Sequence, residues 1–300
     1  MGGFCIYMLL GDILEPYLGY LKSEGRCEKT IYEHSRFTHG ALQVLKDCQL
    51  EYLKLTDVSL IKQAAAQHGK YGLQRAMVVT RSVLKYARAS GIYFPIDWRD
   101  IKVPTLKLDP VQYLSQNELL DFINSIDLND RNHTGLRMRT IIEVLFSTGL
   151  RAMELCSLNR NQIDLSLGEQ TIEVMNCKTK QIQKVFLSER AIEWIKYYLS
   201  FRRDSDPALF ISGRARLLPQ TSRGWLRTHA RNIGFKKKIT HKIFRATLAT
   251  TLLREKVDIR TVQDILRHAS ARTTMTYYAA ASQEFSKKEH TRVMNSLPLP

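Results

Sequence analysis

The chain has 300 residues, 44% of them apolar and 25% charged, which excludes a disordered polymer and leaves room for two domains with a core each. Forty-five Lys and Arg stand against 29 Asp and Glu, a net charge of +16 that favours a polyanionic partner. Fifteen basic and 11 acidic residues up to Gln112 leave +12 for the rest of the chain. The five cysteines (5, 27, 48, 156 and 177) show no Cys-x-x-Cys spacing, so neither a disulfide framework nor a zinc knuckle is indicated.

The apolar run Phe4 to Leu10 is too short to span a bilayer and lacks a basic flank, so no membrane partner and a cytoplasmic, nucleoid-associated location are expected. From Asp12 to Gly91 the pattern predicts four helices, near 12–23, 28–48, 57–68 and 71–90, with Thr56 as a cap and Gly25, Gly69 and Gly91 as stops. Pro95, Pro104 and Pro110 then break all periodicity from Tyr93 onward. This stretch reads equally as a linker that lets two domains close on a duplex or as an extended arm packed on one of them.

Ser115-Gln116-Asn117-Glu118 is a capping box that opens a second domain. A long helix from about Leu136 to Thr148 follows, ended by Gly149, with Arg151 starting the next. Thr171 to Met175 and Ile182 to Leu187 read as two strands of a hairpin, and helices resume at 188–203, 221–233, 240–255, 258–267 and beyond Ala271. The expected fold is mainly α with one small antiparallel sheet.

Chemistry-bearing residues concentrate late in the chain. Lys242 lies three positions before Arg245, on one helix face, so both cations can reach a single anion. His268 precedes Tyr277 by nine residues across a small, β-branched run that reads as a loop and a new helix start. Beside them, Arg223, Arg227, Arg231, Lys236, Lys237 and Lys238 form a basic strip suited to following a DNA backbone.

Taken with Thr148-Gly149-Leu150-Arg151-Ala152-Met153-Glu154-Leu155, these boxes resemble the tyrosine recombinase (phage integrase) family, most closely its short Xer-like members. The resemblance covers nearly the whole chain, with the boxes in the family's order. It implies an N-terminal four-helix core-binding (SAM-like) domain over 8–92 that clamps one side of DNA. A linker (93–111), a catalytic domain of the tyrosine recombinase and type IB topoisomerase fold (112–291) and a C-terminal tail (292–300) would follow.

It further implies cleavage and rejoining of DNA through a 3′-phosphotyrosyl bond, with Tyr277 as nucleophile and Arg151 and Arg245 holding the phosphate. A hairpin lysine would protonate the leaving 5′ oxygen: Lys178 by register, with Lys180 as the alternative. His268 would hydrogen-bond the phosphate or move the proton of Tyr277. The exchange conserves phosphodiester energy, so no cofactor, metal or ATP is expected. The sequence agrees, since it holds neither a Gly-x-x-x-x-Gly-Lys-Ser/Thr loop nor His-Glu-x-x-His.

The expected partners are a double-stranded recombination site and a tetramer on paired sites, of identical chains or with a second recombinase. The tail, with Phe285, Val293 and Met294, would dock on a neighbouring protomer. Two departures from the family pattern stand out. Lys242 occupies the place of the usual second-box histidine, with His241 one position early, and Arg267 replaces the glycine before His268. Two other readings remain open: an idle DNA-binding regulator, and a type IB topoisomerase-like relaxase.

Overall fold

The computed structural model of the protein describes residues 8–46, 48–106, 110–166, 168–176, 180–268, 270–271, 274–277 and 291–296. The chain forms two compact units, Met1–Asp109 and Pro110–Pro300.

The first unit is helical: α1 (Leu14–Ser23), α2 (Glu28–Leu45), α3 (Leu55–Ala66) and α4 (Gly69–Ala89). A 3-10 turn, Gly11–Ile13, leads into α1. Helix α3 starts two residues earlier than the apolar pattern suggests. Its box is closed by the Asp57 carboxylate, which accepts the Lys54 amide at 2.8 Å, so the cap position falls on Lys54 and not on Thr56. Tyr17, Met77, Leu84, Leu50 and Leu53 are almost wholly buried, and each such side chain contributes roughly 1.5–3 kcal/mol.

The Pro-rich stretch after α4 packs on this same unit. Phe94 and Ile101 enter its core, Arg88 donates to the Phe94 and Ile96 carbonyls, and the Gln74 amide donates to Pro104 O. Prolines erase the periodicity without removing the apolar anchors, which is why the sequence left linker and arm undecided.

The second unit opens with α5 (Gln116–Asn124), whose box is formed: the Ser115 hydroxyl accepts the Glu118 amide and Glu118 accepts the Ser115 amide at 2.7 Å. Helix α6 (Thr134–Thr148) is the central rod, buried on nearly every side. It ends at Gly149, φ +60°, where an added Cβ would meet the Leu266 methyl at 2.8 Å. Only glycine combines that conformation with that approach.

Helix α7 (Ala152–Ser157) follows, then strands β1 (Gln170–Met175) and β2 (Ile182–Leu187), antiparallel with Gln170 opposite Leu187. Ile172, Val174, Val185 and Leu187 face the core. Helix α8 (Glu189–Ser200) is capped by Ser188, whose hydroxyl accepts the Ala191 amide. A second, two-residue hairpin comes next, β3 (Ile211–Ser212) against β4 (Ala215–Arg216) across Gly213. The mainly α fold with a small antiparallel sheet is as expected, and this second hairpin adds to it, unannounced because strands this short cannot show alternation in sequence.

Helices α9 (Pro219–Asn232), α10 (His241–Arg254) and α11 (Ile259–Leu266) complete the unit, α11 being capped by the Asp258 carboxylate on the Arg260 and Thr261 amides. Residues 274–277 and 291–296 are helical. Among the described residues, no helix is long and apolar enough to cross a membrane.

Candidate nucleic-acid cleavage site

Three chain segments converge on one open cleft of the second unit. The turn after α6 supplies Leu150, Arg151 and Ala152, α10 and its approach supply Thr240, His241, Lys242 and Arg245, and the segment after α11 supplies His268 and Tyr277. From α9 and the loop beyond it, Arg223, Arg227 and Lys238 reach the same cleft.

Arg245 is buried, and its guanidinium donates to the carbonyls of Gly149 and Leu266. Those two carbonyls end α6 and α11, where last-turn oxygens lack helical partners. The arginine is thus tied to both neighbouring segments. Burial, then the cations of Arg151 and Arg267, push its pKa down to about 10, still far above neutrality, so it stays charged.

Arg151 is half-exposed and fixed by Glu154, which is fully buried. The carboxylate accepts the Arg151 amide and Nη1, both at 2.9 Å. One carboxylate therefore both caps α7 and aims the guanidinium.

Tyr277 is 4% exposed and packs on Ala246, Ala249, Val262 and Leu266. Its ring lies nearly parallel to that of His268, with centroids 5.6 Å apart and planes at 10°. Burial raises its pKa, and the charges of Arg245 and Arg151 oppose that rise. A phenol beside two guanidiniums has a place for its charge once deprotonated.

His268 Nδ1 is hydrogen-bonded to the Thr274 hydroxyl at 2.9 Å. Burial, followed by Arg245, Arg151 and Arg267, lowers its pKa to about 4, so it is neutral at pH 7. With Nδ1 occupied, Nε2 is the nitrogen left for a substrate.

The two rival residues of the second box part company. His241 is buried, its Nε2 bonded to the Ser222 hydroxyl at 2.9 Å, and burial holds its pKa near 4. Lys242 is exposed at the cleft. His241 is committed to α9 by a contact 19 residues distant, which no local pattern reveals.

The basic strip also divides. Arg223, Arg227 and Arg231 repeat at helical spacing along α9, all exposed, and Lys236 and Lys238 are exposed beyond it. Lys237 turns inward, donating to Glu118 at 2.6 Å and to the Tyr113 carbonyl at 2.9 Å. Lys178 lies outside the described residues; Lys180 stands at the hairpin turn with φ 58°, its amide donating to the Asn176 carbonyl. Arg267, the departure from the family pattern beside His268, is buried behind the cleft and ion-paired to Glu154. Its only sequence signal was a long cation where a left-handed helix end favours glycine. No group of His, Cys, Asp and Glu suited to holding a metal is found among the described residues.

Two guanidiniums, a neutral imidazole and a phenol around one open cleft can bind a phosphodiester, spread the charge that grows as a fifth ligand reaches phosphorus, and deliver an oxygen nucleophile. Residues 112–284 match the phage integrase family. The chain is 27% identical over 285 residues to tyrosine recombinase XerC of Proteus mirabilis, 91% of each protein being covered. It is 28% identical over 275 residues to tyrosine recombinase XerA of Pyrococcus furiosus, with 90% of each covered. Among solved structures, the fold is similar to the XerH site-specific recombinase in a post-cleavage complex with a palindromic difH substrate. That match has a TM-score of 0.74 and 18% identity, covering 92% of this chain and 83% of the other.

Proposed function

The chain belongs to the phage integrase family and is a site-specific DNA recombinase of the tyrosine type, and we propose that Tyr277 is its nucleophile. The observation that carries this is the packing of Tyr277 against His268 in the cleft that Arg151 and Arg245 line.

In the proposed step, the phenol oxygen of Tyr277 attacks phosphorus and the bond to the 5′ oxygen breaks. The products are a 3′-phosphotyrosyl bond and a free 5′ hydroxyl. Arg151 and Arg245 bind the non-bridging oxygens and stabilise the charge gained in the transition state. A free phenol is ionised to only about one part in a thousand at pH 7, so proton removal must accompany attack. Neutral His268 is suited to hydrogen-bond the phosphate or take part in that transfer. Lys178 is assigned the proton for the leaving oxygen, and Lys242 a second cationic contact to the phosphate. The 5′ hydroxyl of another strand then reverses the step.

The substrate is a double-stranded recombination site, tracked by Arg223, Arg227, Arg231, Lys236 and Lys238, with the N-terminal helices as a further DNA-binding element. The protein works on DNA as an oligomer. In its finer form the assembly is a tetramer on paired sites linked by the tail, so deleting residues 283–300 should abolish synapsis.

The test uses a nicked suicide duplex carrying a site that the wild-type protein selects from a randomised pool. Wild type should form a protease-sensitive protein–DNA adduct without added metal, and Tyr277→Phe should bind the same duplex and form none. An adduct of undiminished yield from Tyr277→Phe would remove the assignment.

A further inference from the structure

Arg267 ends α11 in the left-handed conformation, φ 52° and ψ 49°, which a side chain rarely adopts and a long cation gains nothing from locally. Its side chain is 4% exposed. Nη2 donates to Glu154 Oε2 at 3.2 Å and, at 3.5 Å, to the Gly149 carbonyl. Nε and Nη1 have no acceptor among the described residues.

The two acceptors it does reach matter. Glu154 is the carboxylate that aims Arg151, and Gly149 O is a carbonyl that also anchors Arg245. A buried cation in a strained backbone, with two unsatisfied donors, destabilises the fold locally. Such a residue persists where it serves the site.

We propose that Arg267 is a positioning residue for DNA cleavage, which pins Glu154 and the Gly149 carbonyl and so fixes the guanidiniums of Arg151 and Arg245 at the spacing one phosphate requires. It does not line the cleft, so it acts through those two groups and not on the DNA. With Glu154 held from the side of α11, the carboxylate cannot swing with Arg151 when the arginine meets the phosphate. The inference rests on the recombinase reading of this cleft.

The experiment compares wild type, Arg267→Gly, Arg267→Lys, Glu154→Gln and the Arg267→Gly/Glu154→Gln double variant on the suicide duplex described above. DNA affinity, melting temperature and the single-turnover rate of adduct formation are measured for each. Arg267→Gly should bind DNA within about threefold of wild type and melt no lower, because it relieves the left-handed strain, yet cleave about 10- to 100-fold more slowly. Arg267→Lys should recover part of that rate. The double variant should be no slower than the slower single one, since both act through one carboxylate.

Wild-type cleavage by Arg267→Gly overturns the proposal, as do fully multiplicative losses in the double variant. A lower melting point with DNA binding lost in step with cleavage makes the residue merely structural and likewise overturns it. If wild type itself gives no Tyr277-dependent adduct, the recombinase reading falls and this inference with it.

Discussion

The buried polar side chains described in the N-terminal unit are His34 and Thr38, whereas the second unit buries Glu143, Glu154, Arg245 and Arg267 beside several neutral groups. His34 and Thr38 are satisfied locally: Tyr17 Oη meets His34 Nδ1 at 2.6 Å, and Thr38 donates to the His34 carbonyl at 2.8 Å. In the second unit the buried charges are only partly compensated, and the cluster of Arg245, which lines the cleft, with Arg267 and Glu154 behind it carries net positive charge. Neutral, closed pairs serve packing. Charges kept dry and cationic suit an anion whose own charge grows during reaction, because a low-dielectric wall strengthens the attraction. One unit is therefore built to hold a shape and the other to hold a potential.

The strongest way to break this contrast is to remove charge from one unit and volume from the other. Arg245→Ala should lower the single-turnover cleavage rate by about 10²- to 10³-fold while DNA affinity moves far less. Leu84→Ala, in the first core, should cost about 2–5 kcal/mol in urea unfolding and leave the cleavage rate of the folded fraction unchanged. A cleavage defect in Leu84→Ala comparable to that of Arg245→Ala would erase the division.

Next in size is the test of how each unit tolerates loss of a polar partner. Glu154→Ala strands Arg267 without its carboxylate and should destabilise the second unit by about 3–5 kcal/mol. Tyr17→Phe deprives His34 of a neutral hydrogen bond only, and about 1–3 kcal/mol is expected. Equal losses in calorimetry or urea melts would mean that charge is not what separates the two cores.

Acid provides a third comparison. His241 and His268 are held near pKa 4 by burial, against 6.5 for an unperturbed imidazole. The unfolded chain takes up those protons first, so their contribution to stability is complete above pH 6.5. It is lost as pH falls towards 4, by up to about 3 kcal/mol per histidine. Urea midpoints between pH 7 and 4 should fall along this window, and His241→Gln, which keeps a partner for Ser222, should flatten the slope.

The smallest effects lie in the basic strip. Arg227→Ala should weaken DNA binding uniformly across sequences and lower the salt slope by about one. Lys237→Ala should leave that slope alone and change stability by less than about 1 kcal/mol, since its pair with Glu118 is about one-third exposed. A change in salt slope for Lys237→Ala would return it to the DNA-facing set.

What the sequence made legible follows from how local each signal is. The Ser115 box, the long α6 and the β1–β2 hairpin are periodic or capped over a few residues, and all appear where expected. Arg151, Lys242, Arg245, His268 and Tyr277 could be picked out because motif order along the chain preserves them, and the fold brings them to one cleft. Three features depended on distant partners and stayed hidden: Ser222 claims His241, Glu118 claims Lys237, and Glu154 claims Arg267 across 113 residues. Pairing across such distances leaves no periodic trace. The Lys54 cap of α3 stayed hidden although Asp57 is only three residues on, because lysine is not among the residues that favour a helix start.

At Gly149 the main chain does what side chains do in the cleft. Its carbonyl receives Arg245 and Arg267, and its missing side chain is what admits the Leu266 methyl. A saturation-mutagenesis screen scored on recombination should therefore rank position 149 among the catalytic residues. Even alanine there would be nearly silent in charge and hydropathy while displacing the oxygen on which two guanidiniums converge. Comparisons by side-chain chemistry would overlook it, because the functional group at that position belongs to the main chain.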